Sequence, residues 1–374
     1  MFYFQLFGQE ASFDEKYNTL ICGGEKQSFS MSPNQDYKRS VYFKFNSICN
    51  LRCTYCFQKE SDNTHFSTVE LKDYEALIDR IIENDIYNRL VLFGGEPFIK
   101  INYDNIKTLL ERCKKKKICA FSNGTFDDCY IELLYLHASK IEMITITIDG
   151  SPKAHNQRRI YPNGEGSFDV IISRLMQMQS KGLPFTIQIN IDQDNINELD
   201  GLLELIQGKF PNVSAVILNR VLHDEKGITE LELLRYFIRL KRKYCRICIV
   251  PNSQCYKKLY SIITNNGIIY KRCEISNTYV FDFQSHLIYS CPQSDKTICG
   301  YFNTNTFVIK QNKIEELDQY SRKENDICKE CNMRGLCMFG CAIDEDLHGI
   351  NCYRENKSCI QFIFDNLSDI YDLE

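Results

Sequence analysis

Three thiols fall within eight residues in the run Cys49-Asn50-Leu51-Arg52-Cys53-Thr54-Tyr55-Cys56. Thiolates are the usual ligands of [4Fe-4S] clusters, and three of them hold three irons of a cubane. The fourth iron is then open to a substrate or cosubstrate. A structural zinc site is the competing reading. It wants four ligands in short knuckles, and this stretch has neither a fourth Cys nor a neighbouring His, with His65 nine residues on.

Other motifs follow in order. Gly94-Gly95-Glu96-Pro97 gives backbone groups open access to a ligand, since glycine adds no side chain; taken alone it is a tight turn. Asn123-Gly124 in Ser122-Asn123-Gly124-Thr125 is likewise an ordinary turn by itself. Thr145-Ile146-Thr147-Ile148-Asp149-Gly150 precedes His155, Arg159 and Gly166-Ser167-Phe168. A second concentration of cysteines occupies the last third: 245, 248, 255, 273, 291, 299, 328, 331, 337, 341, 352 and 359. The spacing Cys328-x2-Cys331-x5-Cys337-x3-Cys341 also admits a zinc ribbon.

The intervening sequence alternates between β-like runs and amphipathic helices. Strands are expected at 41–45, 90–93, 118–122, 143–148, 185–191 and 215–218. Ser67-Thr68-Val69-Glu70 fits a capping box for a helix through Ile82, and further helices are expected at 103–116, 131–137, 168–181, 196–207 and 229–243. Six βα units predict a parallel sheet that right-handed crossovers curl into a partial (β/α)6, TIM-like barrel. Each motif then lies at a strand's carboxyl end, where ligands of such folds collect. The expected organisation is a small β-rich preface (1–40), the barrel (41–243), a linker (244–272) and a Cys-rich C-terminal domain with a terminal helix (273–374).

These motifs, in this order, resemble the radical S-adenosylmethionine (SAM) enzymes, and the C-terminal cysteines resemble the SPASM domain of one of their subgroups. The resemblance implies that Cys49, Cys53 and Cys56 hold the cluster whose open iron chelates SAM. It implies SAM contacts by Tyr55, Gly94, Gly95, Glu96, Ser122, Asn123, Thr147, Arg159 and Asn190. Glu96 and the neighbouring backbone would hold the methionyl ammonium, Ser122 and Asn123 the ribose, and Thr147 with Arg159 the carboxylate, a two-point match for guanidinium. It implies two auxiliary [4Fe-4S] clusters, one on Cys328, Cys331, Cys337 and Cys359, the other on Cys273, Cys291 and Cys341 with an unassigned fourth ligand; Cys255 and Cys299 are candidates, Cys245 and Cys248 weaker ones. Two departures stand out: Asn156 where the pattern has Asp, and His286 where a hairpin Gly is usual.

A chain of 374 residues buries roughly three quarters of its unfolded surface, so core stability does not explain 19 cysteines. Met1 to Gly8 lacks a signal-peptide pattern and no apolar run is long enough to span a bilayer, so a cytoplasmic protein is expected, where disulfides are rare and clustered Cys points to metal. With 45 basic and 49 acidic residues there is no polyanion footprint; the Lys114–Lys117 run reads as a solvated helix end.

By resemblance, the activity is reductive cleavage of SAM to a 5'-deoxyadenosyl radical, which removes hydrogen from a ribosomally made precursor peptide to install a thioether or carbon-carbon cross-link or another oxidation. An external flavodoxin- or ferredoxin-like donor supplies the electron, and nucleic acid and membrane are not expected partners. Formylglycine formation by a sulfatase-maturing enzyme is the nearest rival, disfavoured because Pro292, not Asp, follows Cys291. A non-catalytic zinc protein that binds a partner is the reading of another class.

Overall fold

The computed structural model describes residues 2–6, 9–14, 19–22, 24–28, 39–58, 69–221, 225–263, 278–294, 296–320 and 350–371. Phe7, His65, Ser67, Thr68, Cys273, Cys328, Cys331, Cys337 and Cys341 lie outside the described residues.

Strands β1 (Phe2–Leu6), β2 (Gln9–Asp14), β3 (Thr19–Cys22) and β4 (Glu25–Ser28) form an antiparallel meander. The main sheet begins with β5 (Arg39–Lys44), β6 (Tyr87–Phe93), β7 (Lys117–Ser122), β8 (Ile141–Thr147), β9 (Phe185–Ile191), β10 (Val216–Arg220) and β11 (Ile249–Pro251), adjacent in chain order and all parallel. Because the order never reverses, right-handed crossovers put every helix on one face, and the sheet winds as an open barrel and not as a doubly wound sheet. The alternation of side chains agrees. Ile118, Ala120, Ile144, Ile146, Ile187 and Ile189 are buried with the helices, whereas Phe121, Thr147, Gln188 and Asn190 on the opposite, inner face retain exposure.

The covering helices are α1 (Glu75–Glu83), α2 (Tyr103–Arg112), α3 (Asp128–Leu136), α4 (Pro152–Arg158), α5 (Phe168–Ser180), α6 (Leu199–Lys209), α7 (Glu230–Lys243) and α8 (Gln254–Ile263). α4 and α7 carry the best-formed starts. Ser151 accepts from Ala154 N with Pro152 in the first turn, and Thr229 and Glu232 form a reciprocal capping box. β11 and α8 occupy the stretch read from sequence as a linker. Three residues closed by Pro251 are too short for a detectable period, yet β11 extends the sheet by pairing Val216 with Ile249 through Leu218 with Pro251. The lysine run also differs from expectation: α2 ends at Arg112, and Lys116 is buried, donating to the carbonyls of Asn84 (2.7 Å) and Tyr87.

On the other side of β5, β12 (Thr278–Asp282) pairs in parallel from Thr278 opposite Ser40 to Asp282 opposite Lys44, and β13 (Leu287–Tyr289), β14 (Ile298–Phe302) and β15 (Phe307–Ile309) continue antiparallel. The C-terminal segment thus completes one eleven-stranded sheet instead of packing as a bead. Aromatic rings weld the junction: Phe283 lies 5.8 Å from Phe43, 5.7 Å from Phe45, 5.2 Å from Tyr74 and 5.2 Å from Phe302. His286, which replaces the usual Gly, adopts φ 58°, the left-handed conformation glycine favours, and its Nε2 is 2.7 Å from the Tyr74 hydroxyl. The turn therefore survives the loss of glycine because a side-chain bond offsets the strain. Three more helices complete the described chain: α9 (Gln311–Tyr320), α10 (Ile350–Asp365) and α11 (Leu367–Tyr371). No described helix is long and apolar enough to cross a membrane.

Phe283 is fully buried, so Phe283→Ala should lower stability by about 3–5 kcal/mol, read by denaturant unfolding.

Candidate active site

The loop after β5 carries the three thiols, and backbone bonds fix it from two sides. Arg52 N donates to Ile160 O at 2.7 Å and Thr54 N to Arg158 O at 2.8 Å, tying it to the end of α4. Glu96 N donates to Ile48 O at 2.8 Å and Gly95 N to Asn46 O at 3.3 Å, tying it to the turn after β6. A Cβ on Gly95 would stand 2.1 Å from Ile48 O, and one on Gly94, whose φ is 136°, 2.5 Å from Asn46 O. Both glycines are thus required by the close approach of the thiol loop itself.

Glu96 is 1% exposed. Its Oε1 accepts from Ser122 Oγ (2.8 Å) and Phe98 N (3.0 Å), and its Oε2 from Asn123 N (2.6 Å). Burial nevertheless raises its pKa to about 7, and among the described residues no cation lies within ion-pair distance. A cationic ligand group is what this carboxylate lacks. The Ser122 hydroxyl donates to Glu96 and accepts from Gly124 N at 3.0 Å, so it orients the carboxylate. The Asn123 amide reaches the thiol loop: Nδ2 donates to Asn50 Oδ1 at 2.8 Å and lies 3.6 Å from Cys49 Sγ, while Oδ1 accepts from Thr125 N.

The third group gathers at the ends of β8, β9 and α4. Asp149 is wholly buried; it accepts from the Tyr55 hydroxyl and from Asn190 N (2.9 Å), with Arg158 Nε 3.8 Å and Arg159 Nη1 4.0 Å away. Arg159 Nη1 donates to the Tyr55 hydroxyl at 2.5 Å and Asn190 Nδ2 does so at 3.1 Å. Burial raises the pKa of Asp149 against the pull of the two guanidinium groups. Burial opposes the charge on Arg159, but Tyr55, Cys53 and Asp149 outweigh it and push its pKa further up. His155 is neutral, its pKa held well down by burial and by the charges of Arg159 and Arg158. Its Nδ1 accepts from Asp149 N (3.2 Å), so Nε2 carries the proton toward Ser167 Oγ (3.0 Å), which donates to Arg159 O (2.8 Å). Asn156 Oδ1 accepts from Phe168 N at 3.0 Å at the head of α5, a role an Asp oxygen would fill equally, so that departure leaves the loop unchanged.

The fit to a cluster and to SAM rests on atoms still in want of partners. Arg159 Nε is buried with no hydrogen-bond partner, as is Arg158 Nε, so this donor is available to an acceptor such as a carboxylate. Burial, with the charge of Glu96 next, raises the Cys49 thiol to about 11, and burial likewise raises Cys53; a bound cation would offset that penalty and favour ligating thiolates.

Residues 43–206 match the Radical SAM superfamily model. The chain carries a radical SAM domain. Its curated relatives include an S-adenosylmethionine-dependent nucleotide dehydratase of Psychrobacter lutiphocae, 23% identical over 64% of this chain and 85% of that protein. Another is a cysteine-type anaerobic sulfatase-maturating enzyme of Clostridium novyi, 22% identical over 84% of this chain and 91% of that one. Among solved structures, native anSMEcpe with bound AdoMet superposes with a TM-score of 0.71 at 18% identity, covering 89% of this chain and 99% of that one. Streptococcus suis SuiB bound to precursor peptide SuiA does so at 0.63 and 15%, covering 82% and 72%. These neighbours share the fold described here.

The radical SAM domain thus brings together Cys49, Cys53, Cys56, Tyr55, Glu96, Asn123, Arg159 and Asn190. Thr147 sits on the inner face of β8 in register with Gln188, which donates to Asn190 at 3.0 Å. Asp149 and Arg158 were not singled out from sequence, although Asp149-Gly150 stood in a quoted motif and Arg158 adjoins Arg159. Of the auxiliary cysteines, Cys291 is half-buried after β13 and its Sγ accepts from Gln293 N at 3.4 Å, while Cys359 is buried on α10. Cys255 and Cys299 lie in the apolar core, Cys299 bonded to Ile288 O, and Cys245 and Cys248 are exposed before β11.

Gly95→Ala should displace the thiol loop and lower the iron content of reconstituted protein while far-UV circular dichroism stays native. Glu96→Gln should weaken SAM binding by about 1.5–3 kcal/mol in equilibrium dialysis. In the cluster-free protein the raised Glu96 pKa contributes stability that is complete below the ordinary carboxylate range and lost as pH rises through about 7. Glu96→Gln should remove that slope from a series of denaturation midpoints.

Proposed function

We propose that this chain is a SPASM-type radical SAM enzyme that modifies a ribosomally made precursor peptide, closing a thioether or carbon-carbon cross-link or making another oxidation. The observation that carries the reading is where the SAM-facing groups open. Tyr55, Arg159 and Asn190 border the inner face of the sheet, which the helices leave uncovered and which presents Thr147, Gln188, Phe93 and Phe121. Neutral amide, hydroxyl and aromatic groups of this kind suit a peptide segment laid across the barrel. The solved relatives support it by analogy, one being bound to a precursor peptide.

Cys49, Cys53 and Cys56 would hold the cluster, which would supply the one-electron chemistry of SAM cleavage. The polypeptide does the placing. Glu96, oriented by Ser122 and Asn123, accepts the ammonium; Arg159, steadied by Tyr55, turns Nε to the carboxylate; the closed helical face keeps water out. Cys328, Cys331, Cys337 and Cys359 would hold one auxiliary cluster and Cys273, Cys291 and Cys341 the other; such clusters would supply an acceptor for the electron a cross-link leaves behind, and a flavodoxin- or ferredoxin-like donor would supply the first electron. Sulfatase maturation is the weaker reading, despite the Clostridium novyi relative, because Pro292 offers no carboxyl after Cys291.

Anaerobically reconstituted protein should contain on the order of twelve irons. With dithionite and SAM it should release 5'-deoxyadenosine, and it should change the mass of a small peptide encoded beside its gene. Cys49→Ser, Cys53→Ser and Cys56→Ser should abolish release and lower the iron to about eight. A colourless protein that binds zinc in place of iron would overturn the proposal.

A further inference from the structure

A single file of side-chain hydrogen bonds leaves the site along the carboxyl rim of the sheet. Lys257 Nζ donates to Asn252 Oδ1 at 3.1 Å, Asn252 Nδ2 to Asn219 Oδ1 at 2.8 Å, and Asn219 Nδ2 to Asn190 Oδ1 at 2.9 Å. Asn190 Nδ2 donates to the Tyr55 hydroxyl at 3.1 Å, and that hydroxyl donates to Asp149 Oδ2. The members come from α8, the end of β11, β10, β9, the thiol loop and the end of β8, so the file crosses the open half of the barrel.

Its direction has a cause. A carboxamide can exchange its oxygen and nitrogen by rotation, so an isolated amide pair can run either way. An ammonium only donates and an ionised carboxylate only accepts, and with one at each end all three amides must point their donors inward. Bonds aligned in this manner polarise and strengthen one another. Gln188 Nε2 adds a second donor to Asn190 Oδ1 at 3.0 Å.

Resting on the radical SAM site described above, we propose that Asn219 and Asn252 are positioning residues for SAM: through Asn190 they hold the Tyr55 hydroxyl as an acceptor. Tyr55 then keeps Arg159 Nη1 at 2.5 Å and leaves Nε free. Asp149 Oδ2 waits 4.0 Å from Arg159 Nη1. When the file is cut, Tyr55 loosens, Arg159 closes on Asp149, and its Nε turns away from the cosubstrate.

The test uses anaerobically reconstituted protein. It measures SAM affinity by equilibrium dialysis of the oxidised, non-turnover protein and, after brief reduction and freezing, by the SAM-induced change in the electron paramagnetic resonance signal, with iron content and melting temperature alongside. Asn252→Leu acts three hydrogen bonds from Tyr55 and should weaken SAM binding by about three- to tenfold with iron and melting temperature as in the parent. Asn219→Asp keeps the shape but cannot donate, so it should bind SAM weakly at alkaline pH and recover as acidification returns a proton to its carboxyl. The parent protein should lack that recovery. Parent-like SAM affinity in Asn252→Leu overturns the relay, even if Asn219→Asp is impaired, because only a local contact at Asn219 would then remain. Pure, iron-replete parent protein that binds no SAM overturns the site assignment and the relay with it, an outcome distinct from the first.

Discussion

Asp149 places a carboxyl group out of reach of water, and the order of the site follows from satisfying it. An isolated carboxylate at such a place is prohibitively costly, whereas a paired and fully bonded one is tolerable. The partners come from far apart in the chain: Tyr55 from the thiol loop, Asn190 N from β9, and the guanidinium groups of Arg158 and Arg159 from the end of α4. Arg158 is shared with a second buried acid, Asp192, and its Nη2 also donates to Asn190 O at 3.0 Å. Satisfying one carboxylate therefore brings the loop, the sheet and the helix to one point, and Cys53 and Cys56 on either side of Tyr55 are carried there with it.

Such a charge knot also explains why His155 must be neutral. Its ring sits between the backbone of Asp149 and the Ser167 hydroxyl, and Ser167 in turn bonds the carbonyl of Arg159. A proton on Nδ1 would face the Asp149 N–H that it now accepts, beside two guanidinium groups. The His-x-x-x-Arg spacing thus buys a neutral brace beneath a charged donor, and the Gly166-Ser167-Phe168 turn exists to receive it.

Much of this was legible in the sequence because the barrel repeats a local pattern. β9 occupies the Phe185–Ile191 span its alternation predicts, and the apolar spacing that marks α5 and α7 is the stripe that packs on the sheet. What escaped was set by distant partners. The pairing of β12 with β5 joins segments more than two hundred residues apart, and nothing in either one encodes the other. β11 is too short for a period. At the site, residue type pointed to Glu96 and Arg159 but not to the geometry that prepares them. Ser122 reads from sequence as a ligand contact, and the structure adds a bond by which its hydroxyl orients a carboxylate. Asn219 and Asn252 were invisible for a plainer reason: a polar residue at a strand end has many ordinary uses, and only the register of three neighbouring strands lines them up.

The two glycines after β6 show how cluster and cosubstrate can be held in fixed relation without relying on rotamers. Gly94 and Gly95 let the backbone after β6 touch that of Asn46–Ile48 with no side chain between, and Glu96, the next residue, donates its N–H into the same contact while its carboxylate turns to the ligand side. One short piece of main chain sets both the height of the thiol loop and the position of the acid. Main-chain contacts of this kind cannot adjust by side-chain rotation, so an error in one site is an error in the other. Tight coupling of that sort suits a reaction in which an electron must cross from a metal to a sulfonium only when both are in place.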